Sequence, residues 1–277
     1  MAAIHDVLIA KALTDAIAVC GPPEDPSRLP HRSEQYWLQT FATPDVTPEQ
    51  MRGFLASFQH VREKCDYGEA ASLVNQLIES RDFDPLSSVE CLADALRLVT
   101  ERRKTQTIAA SSLCMFAKPA AKVFVVSDLP SYAARLALWT RSDRASPPLL
   151  GVPFHADGWE EDCGTDDYAT YAQACDLILD DMRASDAFGK ALNRFMDHLD
   201  AVPGPMRARD GAPLDFIERR LLEKLMTCEG WYIRYWLETE AHPGKLARTD
   251  EGAALSGVVS RRPQDVFPKD IATKFGY

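Results

Sequence analysis

The sequence lacks long apolar runs and an excess of basic residues. No apolar run approaches the ~18 residues that a membrane-spanning helix needs. The N-terminal residues carry Asp6, Lys11 and Asp15 inside their apolar pattern, which a secretory signal would not tolerate. The formal net charge of −10 disfavours binding of nucleic acid over the whole surface. We therefore expect a cytoplasmic chain that does not associate with a membrane.

The sequence also lacks the motifs of the common metal and nucleotide sites. Its seven cysteines include no CxxC pair, which argues against a zinc ribbon and a thioredoxin-type site. We expect most of them to be buried thiols, because reduced cysteine packs as a small hydrophobe. GxxxxGKS/T, GxGxxG, HExxH, GxSxG and EF-hand patterns are all missing. No cofactor and no metal site is predicted.

One acidic cluster remains, within residues 155–167. Hard cations bind oxygen-rich groups of this kind, but a solvated acidic loop has the same composition. The cluster overlaps an irregular stretch, residues 141–164, whose length is typical of a functional or mobile loop. We interpret the acidic residues as solvated surface, and the irregular stretch as a possible boundary inside the chain.

Local helix-start signals are strong at two places. Thr47 supplies a cap, a proline follows it, and Gln50 occupies the capping-box position. The run from Ser87 to Glu90 has the same pattern, and the apolar stripe after it predicts a helix that reaches about Arg103.

Helical periodicity continues along most of the chain. Other helices are predicted over 3–19, 69–79 and 108–116, from about 128, 165 and 188, and in the most apolar stretch, from Pro213. Val123 to Val126 is a short β-branched and aromatic run, for which a brief strand is an open alternative. The prediction is an all-α fold, a compact multi-helix bundle that forms a single domain over 1–277.

The stretch from Thr107 to Trp139 carries the most specific pattern. It reads A-S-S-L-C-M-F-x-x-P, followed by a short apolar run, Ser-Asp and an amphipathic helix. This pattern resembles bacterial helical proteins described as 8-oxoguanine DNA glycosylase-like. On that alignment the serine, aromatic, proline and aspartate positions are Ser111, Phe116, Pro119 and Asp128. The resemblance implies a glycosylase-like core, DNA as partner and Asp128 as the catalytic residue.

The chain departs from the helix-hairpin-helix glycosylases at the nucleophile. Ser112 stands where the resemblance places a lysine, and a serine hydroxyl cannot form the Schiff base that a lysine amine forms. The L-P-G-x-G hairpin of those enzymes is missing as well. The resemblance therefore implies a protein without lyase activity. Asp128 has a second interpretation as a helix N-cap.

Two principal functional hypotheses follow. The first is a nucleic-acid-associated protein that binds DNA through a local basic face. The residues of that face are Arg102, Arg103, Lys104, Lys118, Lys122 and Arg135. The three consecutive cations from Arg102 to Lys104 also suit a helix C-terminus, where they complement the helix dipole.

The alternative is a non-catalytic helical module for protein interaction or regulation. It agrees with the acidic charge and with the missing motifs, and an aromatic patch of Trp231, Tyr235 and Trp236 would suit a protein partner. A third possibility is an enzyme of unrecognised type that binds a small molecule, with residues 141–167 as a lid.

Overall fold

The computed structural model describes residues 2–20, 34–58, 65–100, 106–141, 168–201 and 213–241. Within these ranges the chain forms helices and no β-strand. The ten helices are α1 (Ala2–Cys20), α2 (Glu34–Thr40), α3 (Pro48–Ser57), α4 (Tyr67–Glu79), α5 (Pro85–Leu98), α6 (Thr107–Ala117), α7 (Asp128–Arg141), α8 (Tyr168–Arg183), α9 (Asp186–Ala201) and α10 (Leu214–Ala241). The predicted all-α fold is confirmed. None of these helices is both long enough and apolar enough to cross a membrane.

Helix α6 lies at the centre of the structure. All its residues from Ala109 to Ala117 are buried, as is Thr107 at its start. Alanine, serine and larger apolar residues occupy every side of this helix, so no side of it requires water. It packs against α2, α4 and α5, and side chains from all ten helices join one hydrophobic core. The buried helix predicted over 108–116 is confirmed.

A chain of aromatic rings connects α6 to three other helices. Ring centroids are 5.2 Å apart for Trp37 and Phe54, 5.7 Å for Phe54 and Phe116, and 5.7 Å for Phe116 and Phe216. All three pairs meet edge to face, the arrangement that aromatic quadrupoles favour. The rings therefore join α2, α3, α6 and α10 through the middle of the core.

One of the two predicted capping boxes is present in the structure. In α3, Thr47 Oγ1 accepts from the N–H of Gln50 (3.2 Å), and the Gln50 side chain accepts from the N–H of Thr47 (2.8 Å). The capping box predicted from Ser87 is wrong, because Asp84 caps α5 instead. The N–H of Ser87 donates to Asp84 Oδ2 (2.8 Å), and Pro85 is the first helical residue.

Helix α5 also ends earlier than predicted. Its last residue is Leu98 rather than a residue near Arg103. The carbonyl oxygen of Val99 accepts from the N–H of Asp66 (2.9 Å), and Thr100 forms an isolated bridge with Cys65. This backbone pairing joins the start of α4 to the end of α5, so that the two helices form a hairpin. Because Val99 and Thr100 pair in this way, α5 ends at Leu98.

The strand considered for Val123 to Val126 does not form. This segment has no regular secondary structure, and side chains satisfy most of its backbone groups, while the N–H of Val123 donates to the carbonyl oxygen of Ala121 (2.9 Å). The Tyr168 hydroxyl accepts from the N–H of Phe124 and donates to its carbonyl oxygen, both at 3.1 Å. Tyr171 donates to the carbonyl oxygen of Val125 (2.8 Å), and Ser111 Oγ accepts from the N–H of Val126 (3.0 Å). The apolar side chains at 123–125 are buried.

Helices α7 and α10 approach each other closely at Gly230. A Cβ added there would overlap the carbonyl group of Leu129 and lie 2.9 Å from its Cα. These atoms belong to the backbone, so no side-chain rotation relieves the overlap. Only glycine permits this helix crossing.

We expect Gly230→Ala to destabilise the fold by about 2–4 kcal/mol, because α7 and α10 must separate to admit the methyl group. Gly189 in α9 is the matched control, since a Cβ there meets nothing within 4 Å. Gly189→Ala should stabilise by about 0.5–1 kcal/mol through helix propensity. Urea unfolding of both variants measures the difference. Equal stabilities would contradict the close crossing.

Candidate functional site

Asp128, the predicted catalytic residue, is the first residue of α7, and its side chain is exposed. The first turn of this helix is held by Ser131, whose N–H and hydroxyl both donate to the carbonyl oxygen of Ser127 (3.1 and 2.8 Å). A carboxylate at this position is stabilised by the positive end of the helix dipole. The geometry thus favours the helix-terminal interpretation of Asp128, while its catalytic role stays a prediction.

Lys118, predicted to contact DNA, is half-buried and binds inside the protein. Its ammonium group donates to the carbonyl oxygens of Ile78 (2.9 Å) and Ser80 (2.7 Å). Both carbonyls lie at the C-terminal end of α4, where helical carbonyl groups have no partner within the helix. Lys118 is therefore a cap for α4, supplied by a residue far away in the sequence.

Lys122, the second lysine of the predicted basic face, is exposed. It forms an ion pair with Asp176 of α8 at 2.7 Å. Such an exposed pair contributes little to stability. The remaining residues of the predicted face, Arg102 to Lys104 and the Arg135 side chain, lie outside the described part of the structure.

The residues that carry the resemblance serve the interior of the fold. Ser112, at the lysine position, is 0% exposed, and its hydroxyl donates to the carbonyl oxygen of Ile108 (3.1 Å). Ser111 donates to the same oxygen (3.0 Å). Phe116 belongs to the aromatic chain, and the carbonyl oxygen of Pro119 accepts from Arg219 (2.9 Å). The geometry thus gives a packing or hydrogen-bonding reason for each of these residue types.

A buried ion cluster, which sequence reasoning missed, lies between α2 and α10. The Arg220 guanidinium is 1% exposed and binds both carboxylate oxygens of Glu34, with Nε to Oε2 at 2.9 Å. It also donates to Glu223, and it lies over the Phe116 ring at 5.5 Å from the centroid. Lys224 Nζ lies 4.0 Å from Glu34 Oε1. We define Glu34, Arg220, Glu223 and Lys224 as the ion cluster.

Two neighbours of Arg220 are also buried charged residues. Glu218 accepts two hydrogen bonds from Arg183 Nε, at 3.0 and 3.1 Å, and a third from Nη2 at 2.6 Å. Arg219 donates to Pro119, and its Nε is buried without a hydrogen-bond partner. Burial lowers the pKa of the Arg219 guanidinium below its usual value. Three successive charged residues of α10 are thus inside the fold.

A signal for this burial exists in the sequence. The apolar residues of the first half of α10 occupy positions 216, 217, 221, 222, 225 and 226. At about 100° per residue these positions surround the helix, so the charged residues at 218–220 have no solvent face. Leu214, which precedes these positions at the start of the helix, is exposed.

The thiols agree in part with the prediction. Cys114, Cys175 and Cys228 are buried, whereas Cys65 is half-buried and Cys91 is exposed. Burial raises the pKa of the Cys228 thiol to about 12, and it raises the pKa of Cys114 and Cys175 as well. These three thiols stay protonated and inert at neutral pH. Within the described ranges, no group of three or more His, Cys, Asp or Glu residues could hold a metal ion.

Glu229 of α10 is a further titratable residue that sequence reasoning missed. Dehydration of its half-buried carboxyl group raises the pKa to about 7. Next along the chain, Trp231 of the predicted aromatic patch is also half-buried. The side chains of Tyr235 and Trp236 lie outside the described part of the structure, as do the acidic residues 155–167 and residues 142–164 of the boundary candidate.

Comparison with known proteins gives no relative: no family model, no curated protein and no solved structure matches the chain. The glycosylase-like resemblance therefore rests on the pattern in Thr107 to Trp139, and it stays a prediction.

The free energies of unfolding of two variants should distinguish the roles of Lys118 and Lys122. Lys118→Met should destabilise the fold by about 1–3 kcal/mol, because two half-buried carbonyl oxygens lose a charged donor. Lys122→Met is the matched control and should cost less than about 1 kcal/mol, since its ion pair is exposed. Urea unfolding measures both. A Lys118 variant as stable as the Lys122 variant would contradict the capping role.

The ion cluster predicts a larger effect. Arg220→Met should cost about 3–5 kcal/mol, because it leaves the Glu34 carboxylate buried without its guanidinium. Lys11→Met, which removes an exposed pair with Asp15 at 2.9 Å, is the control and should cost less than about 1 kcal/mol. The double variant Glu34→Leu/Arg220→Met should recover part of the loss in thermal unfolding. A double variant less stable than Arg220→Met would count against this account.

Proposed function

We propose that this protein is a non-catalytic helical module that acts by binding another protein. The observation that carries the proposal is Ser112. It stands where the resemblance places the nucleophilic lysine, it is completely buried, and its hydroxyl donates to a carbonyl oxygen of its own helix. A residue in this position cannot reach a substrate without unfolding of α6.

The surroundings of Ser112 support the same proposal. Ser111 connects α6 to residues 123–126, Pro119 accepts a hydrogen bond from Arg219, and Lys118 caps α4. The polar groups in this stretch thus stabilise the fold. A large part of the chain's negative charge, in contrast, lies on exposed helix surface, where it is available to a partner.

DNA association through a local basic face stays a prediction beside this proposal. Lys122 is its one exposed lysine within the described ranges, and it is paired with Asp176. A gel shift on duplex, abasic and single-stranded DNA at low salt tests it. The affinity should then fall steeply with salt if phosphate contacts hold the complex.

The absence of catalysis is tested on duplex DNA that contains 8-oxoguanine. We expect no base release above the rate without protein, and no covalent product when borohydride is added to trap a Schiff base. A helix-hairpin-helix glycosylase serves as the positive control. Base release that Asp128→Asn abolishes would overturn the non-catalytic proposal and support Asp128 as the catalytic residue.

The binding half of the proposal needs a separate experiment. Cross-linking in cells identifies candidate partners, and each candidate is then purified and mixed with the full chain. Size-exclusion chromatography should show a defined complex. If no purified candidate forms one, the proposal of an interaction module fails.

A further inference from the structure

Helix α5 presents leucines and carboxylates together on its solvent side. Leu98 is 69% exposed and Leu86 is 41% exposed, although both are large apolar residues. Among the described residues, the one other large hydrophobic side chain exposed in this way is Leu214 of α10. Two of the three thus lie on one helix of 14 residues.

The exposed positions of α5 form a continuous surface. Leu86, Glu90, Asp94 and Leu98 are exposed and follow one another at four-residue intervals. At about 100° per residue they cover an arc of roughly 120°, and at 1.5 Å per residue they span about 18 Å. The leucines lie at the two ends of this surface, and the carboxylates lie between them. We call these four residues the α5 face.

The hairpin around the α5 face is strongly acidic. Residues 65–100 contain seven carboxylates and two arginines, a formal charge of −5, which is half the net charge of the chain. All seven acidic side chains are exposed. They are Asp66, Glu69, Glu79, Asp82, Asp84, Glu90 and Asp94. Of the two arginines, Arg97 lies 3.5 Å from Asp94 and is thus next to the α5 face. The other is Arg81.

Neither the carboxylates nor the leucines of the α5 face stabilise the helix when the face is uncovered. Glu90 and Asp94 are like charges four residues apart, a spacing at which they repel each other. The exposed leucines gain nothing from water. Both features become favourable when a surface with cations and apolar groups covers them, because the repulsion is neutralised and apolar area is buried.

We propose that the α5 face is the docking surface for a basic amphipathic helix of a partner protein. Leucine-sized apolar residues of that helix would contact Leu86 and Leu98, and its lysines or arginines would pair with Glu90 and Asp94. Such recognition of an amphipathic helix by a matching surface is a recurrent binding mode. The inference rests on the proposed function, to which it adds the surface and the chemistry of the partner.

The charge of the α5 face also decides against other partners. A nucleic acid would bring phosphates against a hairpin of charge −5, so electrostatics oppose that complex. A second copy of the same face would bring like charges together. The basic protein helix is the partner whose charge complements this surface.

The probe for the test is a fluorescein-labelled peptide of about 18 residues, built from leucine and lysine at helical spacing, a length at which an isolated helix can form. Binding to the full chain is measured by fluorescence anisotropy at low and at physiological salt. A peptide of the same composition in scrambled order keeps the charge but loses the apolar stripe. We expect the scrambled peptide to bind at least about fivefold more weakly.

Two variants and one matched control locate the binding. Glu90→Gln/Asp94→Asn should weaken binding about tenfold at low salt, and Leu98→Gln about fivefold at both salt concentrations. The control variant Asp180→Asn/Asp197→Asn removes one exposed carboxylate from α8 and one from α9. Asp180 lies 3.7 Å from Arg183, so it has an arginine neighbour as Asp94 does. This control should bind the peptide within about twofold of the unmodified chain. Helical content and unfolding midpoints confirm that each variant is folded.

Three results would overturn the inference: equal weakening by the α5 variant and the control, full binding by Leu98→Gln, or equal binding of the two peptides. Each would show non-specific attraction to an acidic protein. If a purified partner still forms a complex that the α5 variants do not disturb, the proposed function stands and the α5 face is the wrong surface. If no partner forms a complex at all, the proposed function itself fails.

Discussion

The structure depends on satisfying the backbone of residues 123–126, which pair with no strand in the described part of the chain. Residues 123–126 are mostly buried, and buried backbone groups without partners cost as much as lost hydrogen bonds. Tyr168 and Tyr171 from α8 and Ser111 from α6 provide those partners. Each of these residues must therefore be in place before the segment can enter the core. Through Ser111 the segment is tied to the buried helix α6.

The second constraint is the burial of charge on α10. Arg220 lies in the core because Glu34 and Glu223 neutralise it and the Phe116 ring faces it. A buried network of this kind specifies how α2 and α10 fit together more than it stabilises them. The charges of the α4–α5 hairpin are of the opposite kind, since all seven of its carboxylates are exposed. Interior charge thus connects helices of the fold, whereas the charge of the hairpin lies on the surface.

The elements that could be predicted from sequence depend on local interactions. Thr47 and Gln50 are three residues apart and satisfy each other, so the start of α3 is contained in the sequence. Asp84 and Ser87 are both good caps, and the choice between them depended on Pro85, which extends the helix by a turn. The pairing of Glu34 with Arg220 joins residues 186 positions apart. No periodicity indicates such a contact. The sequence alone could not distinguish a glycosylase-like pattern from a packing pattern, because serine and phenylalanine also occur in cores for structural reasons.

Lys118 has a consequence for the order in which the protein folds. The hairpin of α4 and α5 closes through Asp66 and Val99, which lie at its own ends, so it can form early from local contacts. The last carbonyl oxygens of α4 accept from the ammonium group of Lys118, about forty residues further along the chain. The last turn of α4 closes through its own backbone, from the N–H of Ser80 to the carbonyl oxygen of Gln76, and Lys118 caps it once α6 has docked. We therefore expect the end of α4 to fray more in an intermediate that lacks α6, so that its exchange protection reports on the docking of the central helix.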